Sequence, residues 1–111
     1  MHPAILQALT DANHGHVRPY GNDDGMAVLT EKFRAVFDHP TLEVFPVFSG
    51  SAANCLALGS MAGASDAVIC HHQSHIENDE CGMPEFFTRA KLLGVGGDHG
   101  KIDLDQVEHH I

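Results

Sequence analysis

Ser49, Gly50 and Ser51 stand where an apolar run (Leu42, Val44, Phe45, Val47) gives way to an Ala/Leu-rich pattern of helical period, from about Ala52 to Met61. A strand that empties through a small-residue turn into a helix leaves bare N–H groups at the positive end of the helix dipole. That is a ready anion site. Gly50 lets the backbone come close to a ligand, and the two serines add hydroxyl donors. The same Ser-Gly-Ser turn also suits a plain helix cap, so taken alone it leaves both readings open. A second cluster follows the apolar run Ala67-Val68-Ile69-Cys70, where His71, His72, Ser74, His75, Glu77, Asp79 and Glu80 crowd together. Two strands delivering these clusters to one sheet edge would join a phosphate cradle to an imidazole able to lie against a flat ring.

The elements that must position them follow from periodicity. Pro3 to about Asn13 carries Ile5, Leu6 and Leu9 on roughly one helical face, with Pro3 suited to the first turn. A polar loop with Gly and Pro spans His14 to Asp24. Met26, Leu29, Phe33, Val36 and Phe37 then recur at helical spacing, with Asp24 as N-cap and Asp38-His39-Pro40 as stop. That stripe reads as core packing. Strands are expected near 43–48, 66–70 and 91–95, while 85–90 is a turn or a short helix. Gly96 to Gly100 forms a loop, and Asp103 caps a last helix beginning at Leu104. Alternating strands and helices predict an α/β fold with a mainly parallel sheet flanked by helices.

Composition excludes several classes. The formal charge is −9 with only 6 Lys and Arg, which argues against nucleic acid and anionic membrane surfaces. No apolar run approaches a membrane span, and no export signal is evident. Three cysteines (Cys55, Cys70, Cys81) lack metal-type spacing and read as reduced thiols of a cytoplasmic protein. Among the ten histidines, His14, His16, His39 and His99 sit beside Gly, Pro or Asp in expected surface turns. His109 and His110 suit the negative end of a helix.

The order Tyr20-Gly21-Asn22-Asp23, Ser49-Gly50-Ser51-Ala52-Ala53-Asn54, Ser74-His75-Ile76, Asp79-Glu80-Cys81-Gly82 and Gly100-Lys101-Ile102 resembles the N-terminal part of the threonine aldolases. The likeness covers nearly the whole chain and includes spacing. It implies part of the large pyridoxal 5'-phosphate-binding domain of the aspartate-aminotransferase-like fold. Residues 1–111 would then hold N-terminal helices over 3–38 and a phosphate-turn and stacking-histidine region over 42–111. The implied reaction is retro-aldol cleavage of a β-hydroxy amino acid such as threonine or allo-threonine to glycine and an aldehyde. The implied assembly is a homo-oligomer, a dimer or tetramer.

The resemblance also implies roles. Ser49, Gly50 and Ser51 match the phosphate turn, with serines where the family has threonines. His75 matches the histidine stacked on the pyridine ring, and it doubles as a candidate proton acceptor. Asn54 is expected to tether neighbouring backbone. Asp79 and Glu80 either orient a catalytic water or the substrate hydroxyl, or cap the next segment. Tyr20 matches a loop near the active site at the subunit boundary. The family's Schiff-base lysine, the Asp opposite the pyridine nitrogen and the carboxylate-binding Arg fall downstream of this region, and Lys32, Lys91 and Lys101 do not occupy that lysine's motif. The family's Ser-Asp-Asn before His-Pro is missing too. These departures make the chain look like a fragment that is inactive alone. Two further readings stand beside this one. One is a divalent-metal module built on His71, His72, His75, Glu77 and Asp79. The other is a non-catalytic assembly piece whose apolar faces need a partner.

Overall fold

The computed structural model describes residues Met1–Ile111, which divide into two compact units, Met1–Pro46 and Val47–Ile111.

The first unit holds two helices. In α1 (Pro3–Ala12), Pro3 opens the helix and the His2 ring caps it by accepting from the Ala4 N–H at 3.2 Å. In α2 (Asp24–Phe37) the cap is Asp23, one residue earlier than expected, whose carboxylate accepts from the Met26 N–H at 3.2 Å. Asp38 ends α2 in the left-handed conformation, ahead of Pro40. Arg34 then holds the outgoing chain, donating from Nε to the Leu42 carbonyl at 2.9 Å. The apolar stripe of α2 has the expected helical period but no burial. Phe33, Val36 and Phe37 are 39%, 79% and 62% exposed, so the core role expected for them is not realised within these residues. Phe33 and Phe37 cover each other instead, stacked at 5.9 Å.

The strand expected near 43–48 is also absent. The segment is irregular, and Phe45 and Phe48 lie open to solvent. A strand needs a ladder partner, and the sheet pairs only β1 (Ala67–His71) with β2 (Lys91–Val95). Pro46 moreover has no N–H to give to a ladder.

The second unit begins with α3 (Gly50–Met61), then β1, then two short helices, α4 (His75–Asn78) and α5 (Met83–Thr88), before β2. The strands run parallel in register Ala67↔Lys91 to His71↔Val95, the βαβ logic predicted from the alternation of elements. Helix α5 settles the ambiguous 85–90 stretch and packs on α3. The core is built from small side chains: Cys55, Cys70, Pro84, Thr88, Ala90 and Val95. After β2 a 3-10 turn (Asp98–Gly100) leads to α6 (Leu104–Glu108), capped by Asp103 as expected.

This last turn is clamped to the end of β2. The Gly96 N–H donates to Gln106 Oε1 at 2.7 Å, and the Asp103 N–H donates to the Gly96 carbonyl at 2.9 Å. Gly97, at φ 148°, sits so close that an added Cβ would collide with the Lys101 carbonyl. Gly97→Ala should therefore destabilise the second unit by about 1–3 kcal/mol, the usual range for forced backbone strain. A urea titration followed by circular dichroism would read this as a lowered midpoint.

Candidate active site

The turn entering α3 is built by its own residues. Ser49 is extended (φ −145°, ψ 164°), and its Oγ accepts from the Ala52 N–H at 3.2 Å while its carbonyl accepts from Ala53 at 3.1 Å. The cap thus uses Ser49, and the N–H groups of Gly50 and Ser51, ahead of the helical ladder, keep no protein acceptor. Helix α3 has no acidic residue in its first turn to neutralise that positive end. Open space surrounds the position a Gly50 Cβ would take, so glycine there answers to no internal contact.

One face of α3 turns inward along Ser51, Asn54, Cys55 and Leu58, the three- and four-residue spacing of a helical stripe. Facing it is Glu80. Two consecutive left-handed residues, Cys81 (φ 52°) and Gly82 (φ 71°), turn the chain between α4 and α5. The Glu80 carboxylate is carried inside, and the residue is 1% exposed. Its Oε1 accepts from Asn54 Nδ2 at 2.7 Å and from His75 Nδ1 at 2.9 Å. Burial alone would raise this carboxyl. The hydrogen bonds from Asn54 and His75, the imidazole's charge and, less strongly, the Ser51 hydroxyl outweigh that and hold it below the ordinary carboxylate range. The neighbouring Cys55 thiol is pushed up, first by burial and then by the Glu80 charge, which makes it a poor nucleophile.

His75 opens α4, with Nδ1 tied to Glu80 and a side chain still 62% exposed. One edge of the ring is fixed and the rest is free. His71 and His72 are differently engaged. His71 is buried, with Nε2 on the Gly97 carbonyl at 3.0 Å and Nδ1 accepting from the Gln73 N–H at 3.1 Å. His72 Nδ1 meets the Val95 carbonyl at 3.1 Å, and the two rings stack at 4.4 Å. Glu77 lies 3.9 Å from the Cys70 thiol. No three His, Cys, Asp or Glu side chains, those of His71, His72, His75, Glu77 and Asp79 included, converge as a group able to hold a metal.

Of the residues singled out in the sequence, the structure brings the α3 turn (Ser49, Gly50, Ser51) and His75 into one unit, linked through Glu80. Asp79 is exposed at the C-cap of α4. Tyr20 belongs to the first unit, in an exposed turn at φ 62°. Asn54 departs from expectation, since its amide holds a carboxylate across the fold rather than nearby backbone. The stripe it shares with Ser51 and Cys55 was the available signal.

The model of the beta-eliminating lyase family matches residues 1–111. The chain belongs to that family. Two curated relatives are low specificity L-threonine aldolases, from Pseudomonas sp. (strain NCIMB 10558) at 45% identity and from Pseudomonas aeruginosa at 43%, each over 90% of this chain and 29% of the relative. The chain therefore spans less than a third of the length of these relatives. The solved structure of Leishmania major threonine aldolase matches with a TM-score of 0.86 and 25% identity, over 98% of this chain and 32% of that one. The parallel strands and flanking helices thus form part of the aspartate-aminotransferase-like fold that the resemblance implied. No helix is long and apolar enough to cross a membrane.

The lowered pKa of Glu80 has a pH signature. As pH falls, the unfolded chain takes up this proton first, near the ordinary value of 4.5, so the stability Glu80 contributes is complete above that value. It is lost as pH falls through the lower folded-state value. Urea midpoints at neutral pH and at about pH 3 should differ more for the native chain than for Glu80→Gln, whose amide does not titrate. Equal acid sensitivity in the two would contradict the assignment.

Proposed function

We propose that this chain is the N-terminal cofactor-binding part of a threonine aldolase, a pyridoxal 5'-phosphate-dependent lyase cleaving L-threonine or L-allo-threonine to glycine and acetaldehyde. The relatives' names support the reaction class. The observation that carries the site is the single oxygen, Glu80 Oε1, joining the helix that starts at the Ser-Gly-Ser turn to the exposed imidazole of His75. The residues present fit the cofactor: uncommitted amides and an open Gly50 for a phosphoester, and a half-free ring for a flat heterocycle.

In this reading the Gly50 and Ser51 N–H groups and the Ser49 hydroxyl hold the phosphate, while the Ser51 hydroxyl turns to Glu80. The His75 ring lies along the pyridine face and restrains its plane. Pyridoxal phosphate held there would supply the electron sink for the pair left at Cα as the Cα–Cβ bond breaks. His75 Nε2 is the candidate acceptor of the β-hydroxyl proton. In this reading Asp79, exposed at the end of α4, serves the substrate hydroxyl or a catalytic water, and Tyr20 serves at a subunit boundary. The cofactor-bearing lysine, the acid opposite the ring nitrogen and the carboxylate-binding arginine come from residues other than these 111, so the chain alone does not turn over. The working assembly is a cytoplasmic homo-oligomer, dimer or tetramer. The apolar groove of about 700 Å³ along α3 and α5, lined by Ala52, Cys55, Leu56, Met83 and Phe87 among others, favours association.

A fluorescence titration tests this. Pyridoxal phosphate should bind the chain at least about tenfold more tightly than pyridoxal, since the helix start recognises the phosphate. Gly50→Asp should erase that difference while leaving the fold intact, because its side chain meets open space and its charge suits a helix N-terminus. Borohydride should trap no single-site lysine adduct, as Lys32, Lys91 and Lys101 are all exposed. Equal binding of both compounds would sink the phosphate assignment.

A further inference from the structure

Glu80 is the one buried carboxylate of the chain, and neither capping nor sheet pairing explains it. The short helices on either side of it could have left it in solvent, as they leave Asp79 and Glu85. Instead the left-handed pair Cys81-Gly82 swings it inward, where it meets two donors at one oxygen. Its other oxygen, Oε2, is buried and accepts no hydrogen bond, so the partnership with His75 and Asn54 runs through Oε1.

We propose that Glu80 is the positioning residue of the site: its buried carboxylate holds His75 with Nδ1–H turned inward, leaving Nε2 as the open, proton-accepting nitrogen, and Asn54 ties this ring to α3. The inference rests on the reading of His75 as the ring-facing group. An ionised carboxylate only accepts, so the His75 nitrogen 2.9 Å from it must carry the hydrogen. In a neutral imidazole the other nitrogen then has a free lone pair. With Nε2–H in its place, His75 could stack but could not take a proton at Nε2. Glu80 thus acts through His75 and is itself too enclosed to touch substrate. Asn54 shares the same oxygen, so a displacement of α3 would be felt at the ring.

The fold contains its own reference. His71 accepts at Nδ1 from the Gln73 N–H and faces the Gly97 carbonyl with Nε2, so it must adopt the opposite tautomer. Two-bond ¹H–¹⁵N spectra of the 111-residue chain, without cofactor and at a pH where the rings are neutral, distinguish the two directly. His75 should carry Nδ1–H over Nε2–H by roughly tenfold, as a hydrogen bond to a charged group can impose, while His71 shows the reverse. In Glu80→Gln the His75 preference should fall away with His71 unchanged, a split that general loosening of the fold would not produce. Should that variant lose the His71 signature through unfolding, Asn54→Ala replaces it. It removes the competing donor, keeps Glu80, and should keep Nδ1–H at His75. A native chain with Nε2–H or an even mixture at His75 would overturn the proposal, as would an unaltered ratio in folded Glu80→Gln. Cofactor binding is measured separately. Failure there, with the Nδ1–H signature present, counts against the cofactor reading and leaves Glu80 in its role.

Discussion

A buried negative charge holds the second unit's site together. An isolated carboxylate out of water is costly, and folding tolerates one only where donors replace the lost hydration. Glu80 finds them on two elements distant in sequence: Asn54 in the second turn of α3 and His75 at the start of α4. Each donor is useful to the carboxylate only when its helix is in place. The requirement to satisfy one oxygen therefore fixes the relation between α3 and the His75 imidazole. A hydrophobic contact in the same place would tolerate sliding, and this one does not.

That constraint also accounts for the division of labour among the histidines. His71 is consumed by the backbone at the end of β1, and His72 rests on it. They stiffen the strand end from which the chain enters α4. His75, a few residues later, gives its Nδ1 to a side-chain carboxylate rather than to the backbone, and its side chain stays 62% exposed. Identical side chains at neighbouring positions are thus sorted by what the backbone leaves unsatisfied.

Much of this was legible in the residues themselves. The Ser49 cap, the helix after it, strands β1 and β2 and the Asp103 cap all follow from local chemistry: small polar residues at helix starts and short apolar runs between turns. The failures have one physical origin. Strand 43–48 and the buried stripe of α2 were read from apolar pattern, and pattern records which side chains want cover rather than whether cover is present. The segment finds no ladder partner, and Val36 and Phe37 find no facing surface among these residues. The relatives are more than three times as long as the matched region. Asn54 escaped for another reason: a side-chain bond spanning 26 positions has no local signature, and only the folded chain brings its two ends together.

Under the proposed reading the site takes an anionic, planar ligand. Divalent ions require several donors to converge, and no three His, Cys, Asp or Glu side chains do so here. A phosphoester requires instead outward-facing N–H groups that no carboxylate has claimed. In the α3 turn the Gly50 and Ser51 N–H groups keep no protein acceptor, and Asn54 in the helix's second turn holds the Glu80 carboxylate. Glu80 Oε1 thus joins the helix that begins at this turn to the His75 imidazole, through one bond from Asn54 and another from His75.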